Sequence, residues 1–84
     1  MLLVMDVGNT NITFGVYERR RLIHHWRVHT NRSATEDEYA ISIKNYLREA
    51  GVPVKQIDGV SIASVVPPLK HVMEQMCRKH FNVT

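Results

Sequence analysis

The residues best equipped for chemistry lie together near the start of the chain. In Asp6-Val7-Gly8-Asn9-Thr10-Asn11 a carboxylate is followed by a glycine and then by three small hydrogen-bonding residues. A glycine there lets the backbone approach an anion closely and take positive φ, so that successive N–H groups converge on phosphate oxygens. Asn9, Thr10 and Asn11 add side-chain donors, and Asp6 suits a Mg²⁺ ion held directly or through its waters against the same phosphates. A plain hairpin turn accounts for these residues equally well, since Gly and Asn favour turns for conformational reasons and Asp6 would then only solvate a strand end. Taken locally, the residues leave both readings open. No G-x-x-x-x-G-K-[ST] pattern occurs among the four glycines, which excludes a P-loop kinase.

Other polar clusters have structural explanations. His24, His25 and His29 are close in sequence, but a strand sends His24 to one face and His25 with His29 to the other, with no Cys or acidic partner at ligand spacing. Asp37 and Glu38 fall in the first turn of a predicted helix, where carboxylates favour the dipole and the cap. Arg19, Arg20 and Arg21 form a charged hairpin tip with no aromatic platform beside them. Cys77 shares an apolar helical stripe, the setting of a small buried thiol rather than a nucleophile. In Ser64-Val65-Val66-Pro67 a proline at the first helical position ends a strand, and a parallel strand there could also bring backbone donors to a cleft.

The elements that must position the first cluster follow from periodicity. Leu2-Leu3-Val4-Met5 is apolar throughout, the mark of a central strand covered on both faces, and ends in Asp6. Asn11 to Tyr17 alternates, with Ile12, Phe14 and Val16 on one face, and Gly8-Asn9-Thr10 supplies the turn before it. Leu22 to Thr30 alternates again, placing Leu22, Trp26 and Val28 on a shared face. The period then changes: Tyr39, Ile43, Tyr46, Leu47 and Ala50 mark one face of a helix over about 36–50, with a Thr35/Glu38 capping box and Gly51 at its end. A strand over Asp58 to Val66 follows, then a helix opening at Pro67-Pro68 whose stripe is Leu69, Val72, Met73, Met76, Cys77 and His80. Phe81 to Thr84 starts a further strand. The order β-β-β-α-β-α-(β) implies an α/β fold with a mixed sheet and right-handed crossovers.

Composition narrows the class. With 84 residues, 44% of them apolar, and a net charge of +3, the chain is one globular unit with no room for two lobes facing a cleft. That charge, even at a pI near 9.4, is too small to argue nucleic-acid binding. No apolar run approaches the roughly 20 residues of a membrane span, and no basic leader precedes Leu2. The single cysteine forms no intrachain disulfide, which fits a reducing cytosol.

Three separated stretches in order, MLLVMDVGNTNITFGVYERRRLIHHWRVHT, TEDEY and SIASVVPPL, resemble the N-terminal lobe of type III pantothenate kinases, and the resemblance spans the whole chain. These enzymes belong to the superfamily of acetate and sugar kinases, heat-shock chaperones and actin. The resemblance implies an actin-like (ribonuclease H-like) ATPase lobe over residues 1–84, incomplete at its C-terminal end. It implies that Asp6, Val7, Gly8, Asn9, Thr10, Asn11, Ile12 and Thr13 line the phosphates of ATP, with Asp6 serving Mg²⁺. The catalytic base and the pantothenate contacts would come later in the chain, so this segment would hold no catalytic residue and be inactive alone. The implied reaction is ATP-dependent phosphorylation of pantothenate to 4'-phosphopantothenate, the first step of coenzyme A biosynthesis. Similar enzymes are cytoplasmic homodimers that use a monovalent cation, K⁺ or NH₄⁺, with no nucleic-acid or membrane partner. A non-catalytic regulatory or transcription-accessory homologue is the alternative, and a chaperone-like ATPase of the same superfamily a third reading.

Overall fold

In the computed structural model, which describes residues 1–83, Leu2–Val7 forms strand β1 between neighbours of opposite polarity. β2 (Asn11–Glu18) returns antiparallel to it, with Met5 opposite Phe14 and Asp6 opposite Thr13, and β3 (Arg21–His29) extends the meander. β4 (Gly59–Ser64) lies parallel to β1 on its other side, with Asp6 opposite Ala63, so the order is β3-β2-β1-β4. The mixed sheet and the β-β-β-α-β-α order are those expected of the front part of an actin-like lobe.

Helix α1 (Glu36–Glu49) begins where predicted. The Thr35 hydroxyl accepts the Glu38 N–H while the Glu38 carboxylate accepts the Thr35 N–H, a complete capping box. It ends in a Schellman turn: Val52 N–H donates to the Leu47 carbonyl, Gly51 N–H to that of Arg48, and Gly51 takes φ 75° as the left-handed terminator. A short 3₁₀ turn (Val54–Gln56) leads into β4, and α2 (Pro67–Met76) follows it. One apolar core joins Leu3, Met5 and Val7 of β1 and Ile12, Phe14 and Val16 of β2 to Ile43 and Leu47 of α1 and Leu69, Met73 and Met76 of α2. At its β3 end the Phe14 ring meets Trp26 at 5.3 Å and, edge-on, Tyr46 at 5.7 Å.

Three expectations need correction. β1 is central in the sheet, but both helices pack on one of its faces; among the described residues nothing covers the other face, and Leu2 is 39% exposed. Leu22 does not share a face with Trp26 and Val28. Val16 pairs with His24 and Tyr17 with Leu22, so Ile23 is an extra residue whose bulge reverses the alternation and sends Leu22 to the open face. No strand forms over 81–83. The last turn of the second helix widens to a π turn at Cys77–Phe81, which buries Phe81 rather than His80, and Asn82 closes it in a left-handed conformation at φ 56°. Thr84, the remaining residue of the expected strand, lies outside the described residues.

The π turn is tied to α1 by a polar cluster. His80 Nε2 lies 2.7 Å from Asp37 Oδ1, and its Nδ1 lies 3.2 Å from Lys44 Nζ. An ammonium only donates, so Nδ1 accepts and Nε2 carries the proton given to Asp37. Lys79 Nζ reaches the same carboxylate at 2.9 Å. The hydrogen bond from His80, with that from Lys79, holds the Asp37 carboxyl below its ordinary range, and Asp37 holds the Lys79 ammonium above its own. The clamp therefore favours the folded state above the ordinary aspartate range and is lost as the pH falls through the lowered Asp37 value.

Cys77 is the free thiol of the core, and burial pushes its pKa up to about 11. Folding thus favours the protonated thiol, a contribution present below the ordinary thiol range and lost as the pH rises toward that value. At neutral pH the folded chain should react with a disulfide reagent at least about tenfold more slowly than the chain unfolded in guanidinium. Equal rates would show that Cys77 is not packed as described.

Candidate functional site

The β1–β2 connection is closed by one backbone hydrogen bond, Gly8 N–H to the Asn11 carbonyl at 2.9 Å. Gly8 does not take the positive φ expected of it; Gly51 is the positive-φ glycine among the described residues. The need for glycine is spatial, because a Cβ at position 8 would stand 2.9 Å from the Asn11 carbonyl oxygen. Asn9 and Thr10 at the loop tip are exposed, and their backbone N–H groups meet no acceptor among the described residues. Two successive free donors at an exposed turn are suited to an anion.

Alternation sorts the eight expected residues. Asn9, Thr10 and Asn11 stand exposed at the tip. Asp6 and Thr13, opposite one another in the ladder, both point to the open face of the sheet. Val7 and Ile12 turn into the core and offer the site only their backbone. The Asp6 carboxylate forms no ion pair among the described residues, so it stands available to a cation. It borders a shallow hollow of about 590 Å³ on the open face, lined also by Val4, Gly15, Leu22 and Arg27.

Two residues absent from the expected set touch the loop. Thr30 Oγ1 donates to the Gly8 carbonyl at 2.8 Å, and Thr30 N–H to the Thr10 carbonyl at 2.8 Å. Arg32 Nη2 donates to Asn9 Oδ1 at 2.6 Å. Thr30 had one signal: it continues the core-facing register of Trp26 and Val28, where a polar group must find a partner. Arg32 had none.

The remaining polar groups lie elsewhere. His24 stacks on Trp26 at 5.7 Å on the core side, whereas His25 borders the hollow on the open face. Glu38 serves the cap and Asp37 the π turn. The start of α2 offers no donors, since Pro67 and Pro68 have no N–H and those of Leu69 and Lys70 both go to the Val66 carbonyl. Ser64-Val65-Val66-Pro67 is a strand-to-helix junction pinned by the bond of Val66 N–H to Ser64 Oγ at 3.0 Å.

Comparison with known proteins bears on what such a loop serves. The family model described as type III pantothenate kinase matches residues 2–84. The chain is 52% identical over 84 residues to the type III pantothenate kinase of Halalkalibacterium halodurans, covering 100% of this chain and 33% of that one. It is 51% identical over 83 residues to the protein of the same name from Geobacillus sp. (strain WCH70) and 48% identical over 83 residues to that from Listeria welshimeri, covering 99% of this chain and 32% of each relative. The chain thus spans about a third of the length of the curated relatives it matches.

Because the obstacle at position 8 is backbone, Gly8→Ala should force the turn open and cost about 1–3 kcal/mol of stability. Urea unfolding of the two proteins would measure it. An unchanged midpoint would mean that the loop accommodates a methyl group without moving Asn11.

Proposed function

The chain belongs to the type III pantothenate kinase family, and on that premise we propose that it is the N-terminal, nucleotide-phosphate-binding portion of an ATP-dependent kinase. The whole enzyme would phosphorylate pantothenate to 4'-phosphopantothenate, opening coenzyme A synthesis. One observation carries the reading: among the described residues, the N–H groups of Asn9 and Thr10 without an acceptor lie at the end of a strand that also presents the carboxylate of Asp6 without an ion-pair partner. Donors for phosphate oxygens and an acceptor for a cation are both needed to hold a Mg²⁺-nucleotide, and the residues present fit that pair of demands.

Phosphoryl transfer depends mainly on positioning and on neutralising charge. Asn9, Thr10 and Asn11 would bind phosphate oxygens at the tip, Gly8 would let them approach, and Asp6 with Thr13 would face the cation from the open side of the sheet. Val7 and Ile12 would hold the loop by anchoring both strands in the core. Mg²⁺, when bound, supplies charge neutralisation on the phosphate oxygens. The carboxylate that activates the pantothenate hydroxyl would come from outside these 84 residues, as would the pantothenate pocket. The family likeness extends the reading to a cytoplasmic homodimer using K⁺ or NH₄⁺. No helix among the described residues is long and apolar enough to cross a membrane.

Two outcomes are expected. With these 84 residues in place of the aligned segment of the Halalkalibacterium kinase, Asp6→Asn should lower kcat by about a hundredfold or more, because the lost charge acts on the phosphate end of the reaction. Its melting temperature should hardly move, since Asp6 is exposed. Undiminished turnover at subsaturating Mg²⁺ would remove Asp6 from the site. The 84-residue chain alone should release no ADP with pantothenate and hold ATP weakly, because one wall of a cleft competes with bulk water at high dielectric. Light scattering should show dimers or larger species, driven by the open face on which Leu2 and Leu22 are 39% and 44% exposed. A monodisperse monomer that turned over ATP with pantothenate would overturn this division of labour.

A further inference from the structure

A loop that receives an anion must show it donors and keep its oxygens turned away. The Gly8–Asn11 loop carries as many acceptors as donors, so something has to choose between them. Four of its oxygens are already engaged. The Gly8 carbonyl accepts from Thr30 Oγ1 at 2.8 Å, the Thr10 carbonyl from Thr30 N–H at 2.8 Å, the Asn11 carbonyl from Gly8 N–H at 2.9 Å, and Asn9 Oδ1 from Arg32 Nη2 at 2.6 Å. Three of those four donors come from the segment joining β3 to α1.

Planarity turns this engagement into a direction. In a trans peptide the C=O and N–H point opposite ways, and the chain contains no cis peptide among the described residues. Holding the Gly8 carbonyl against Thr30 therefore aims the N–H of Asn9 away from Thr30. The Asn9 carboxamide is planar as well, so Arg32 on Oδ1 leaves the Nδ2 donors free on the other side. We propose that the β3–α1 segment is a positioning element of the phosphate site, with Thr30 as its principal residue: it occupies the loop's oxygens so that its nitrogens face the ligand. The proposal rests on the phosphate-loop reading given above.

Thr30 is placed to do this rigidly. It is 9% exposed and is the buried polar side chain of the described residues. The next residue is held from both sides by α1, because Tyr39 Oη accepts the Asn31 N–H at 3.0 Å and donates to the Asn31 carbonyl at 2.5 Å. The orientation of the loop is thus referred to α1 through Tyr39, Asn31 and Thr30, a path that includes no residue of the expected phosphate set. Arg32 has no carboxylate partner among the described residues, so its charge also remains available at the rim.

The test is titration of the ¹⁵N-labelled hybrid kinase, in which these 84 residues replace the aligned segment of the Halalkalibacterium enzyme, with Mg²⁺-tripolyphosphate and, in parallel, with Mg²⁺-ATP, following the Asn9 and Thr10 amides by NMR. Thr30→Val keeps the shape and removes the hydroxyl; it should weaken apparent affinity about tenfold and move the Asn9 amide resonance in the free protein. Thr30→Ser restores the donor and should bind within about twofold of wild type. Arg32→Gln, on an exposed side chain, should weaken binding about threefold. Superposable isotherms for wild type and Thr30→Val would overturn the proposal. Should Thr30→Val fail to fold, a folded Arg32→Gln that binds as wild type together with an unaltered Asn9 amide would overturn it in the same way. If the wild-type loop amides do not respond to either ligand, the phosphate-loop reading falls and this proposal with it. If they respond and the variants do not differ, only the positioning role is lost.

Discussion

Because successive side chains of a strand point to opposite faces, seating Leu3, Met5 and Val7 against the two helices leaves Leu2, Val4 and Asp6 only the other face. Every feature of the site depends on that alternation. It exposes the carboxylate, it sets Thr13 beside it through the β1–β2 register, and it brings the turn at Gly8 to the end of the sheet where β1 and β4 both finish. A slip of one residue in β1 would bury Asp6 and expose Met5, so the hydrophobic core specifies the site as firmly as it specifies the fold.

Much of this was legible in the residues. The capping box at Thr35 and Glu38, the glycine terminator after α1 and the prolines opening α2 each state a local rule, and each element lies within a residue or two of where that rule puts it. What was hidden depended on counting across the sheet. Leu22 reads as a core residue until Ile23 is found to be extra, and nothing in Leu22-Ile23-His24 announces a bulge. The π turn has the same character, since it exchanges His80 for Phe81 in the core through one added residue per turn. Asp6 to Thr13 could be picked out as a polar loop, but its bracing by Thr30 and Arg32 spans 20 to 23 positions and appears only when the strands are paired. The reason for Gly8 also changed from conformation to space, a distinction that residue type alone does not carry.

The open face shapes the energetics of the chain. A domain of this size buries only about 60% of the surface of its unfolded chain, and here one side of the sheet adds little to that burial. Gly15 illustrates how that side is used. A Cβ there would lie 2.9 Å from both the His24 carbonyl oxygen and Leu22 Cδ1, so Leu22, displaced by the bulge, folds down over a position with no side chain. Gly15 and Leu22 both line the hollow beside Asp6, so the bulge that upset the expected register also gives the hollow one of its walls.

The parallel pairing of β1 with β4 has a consequence in time. The meander of β1, β2 and β3 closes over neighbouring residues, but the partners on the other edge of β1 are far along the chain: the N-terminal ammonium meets Asp58 at 3.2 Å across a separation of 57 residues. At synthesis rates of about 5–20 residues per second, β1 waits roughly 3–11 s for β4 after it has itself been made. During that interval a nascent chain carries an apolar strand with one bare edge, the kind of template on which another chain can pair. Closing that edge spans the longest sequence separation described in this sheet, and contacts of that kind form late, so the Gly8–Asn11 loop gains its complete sheet only after β4 has joined β1.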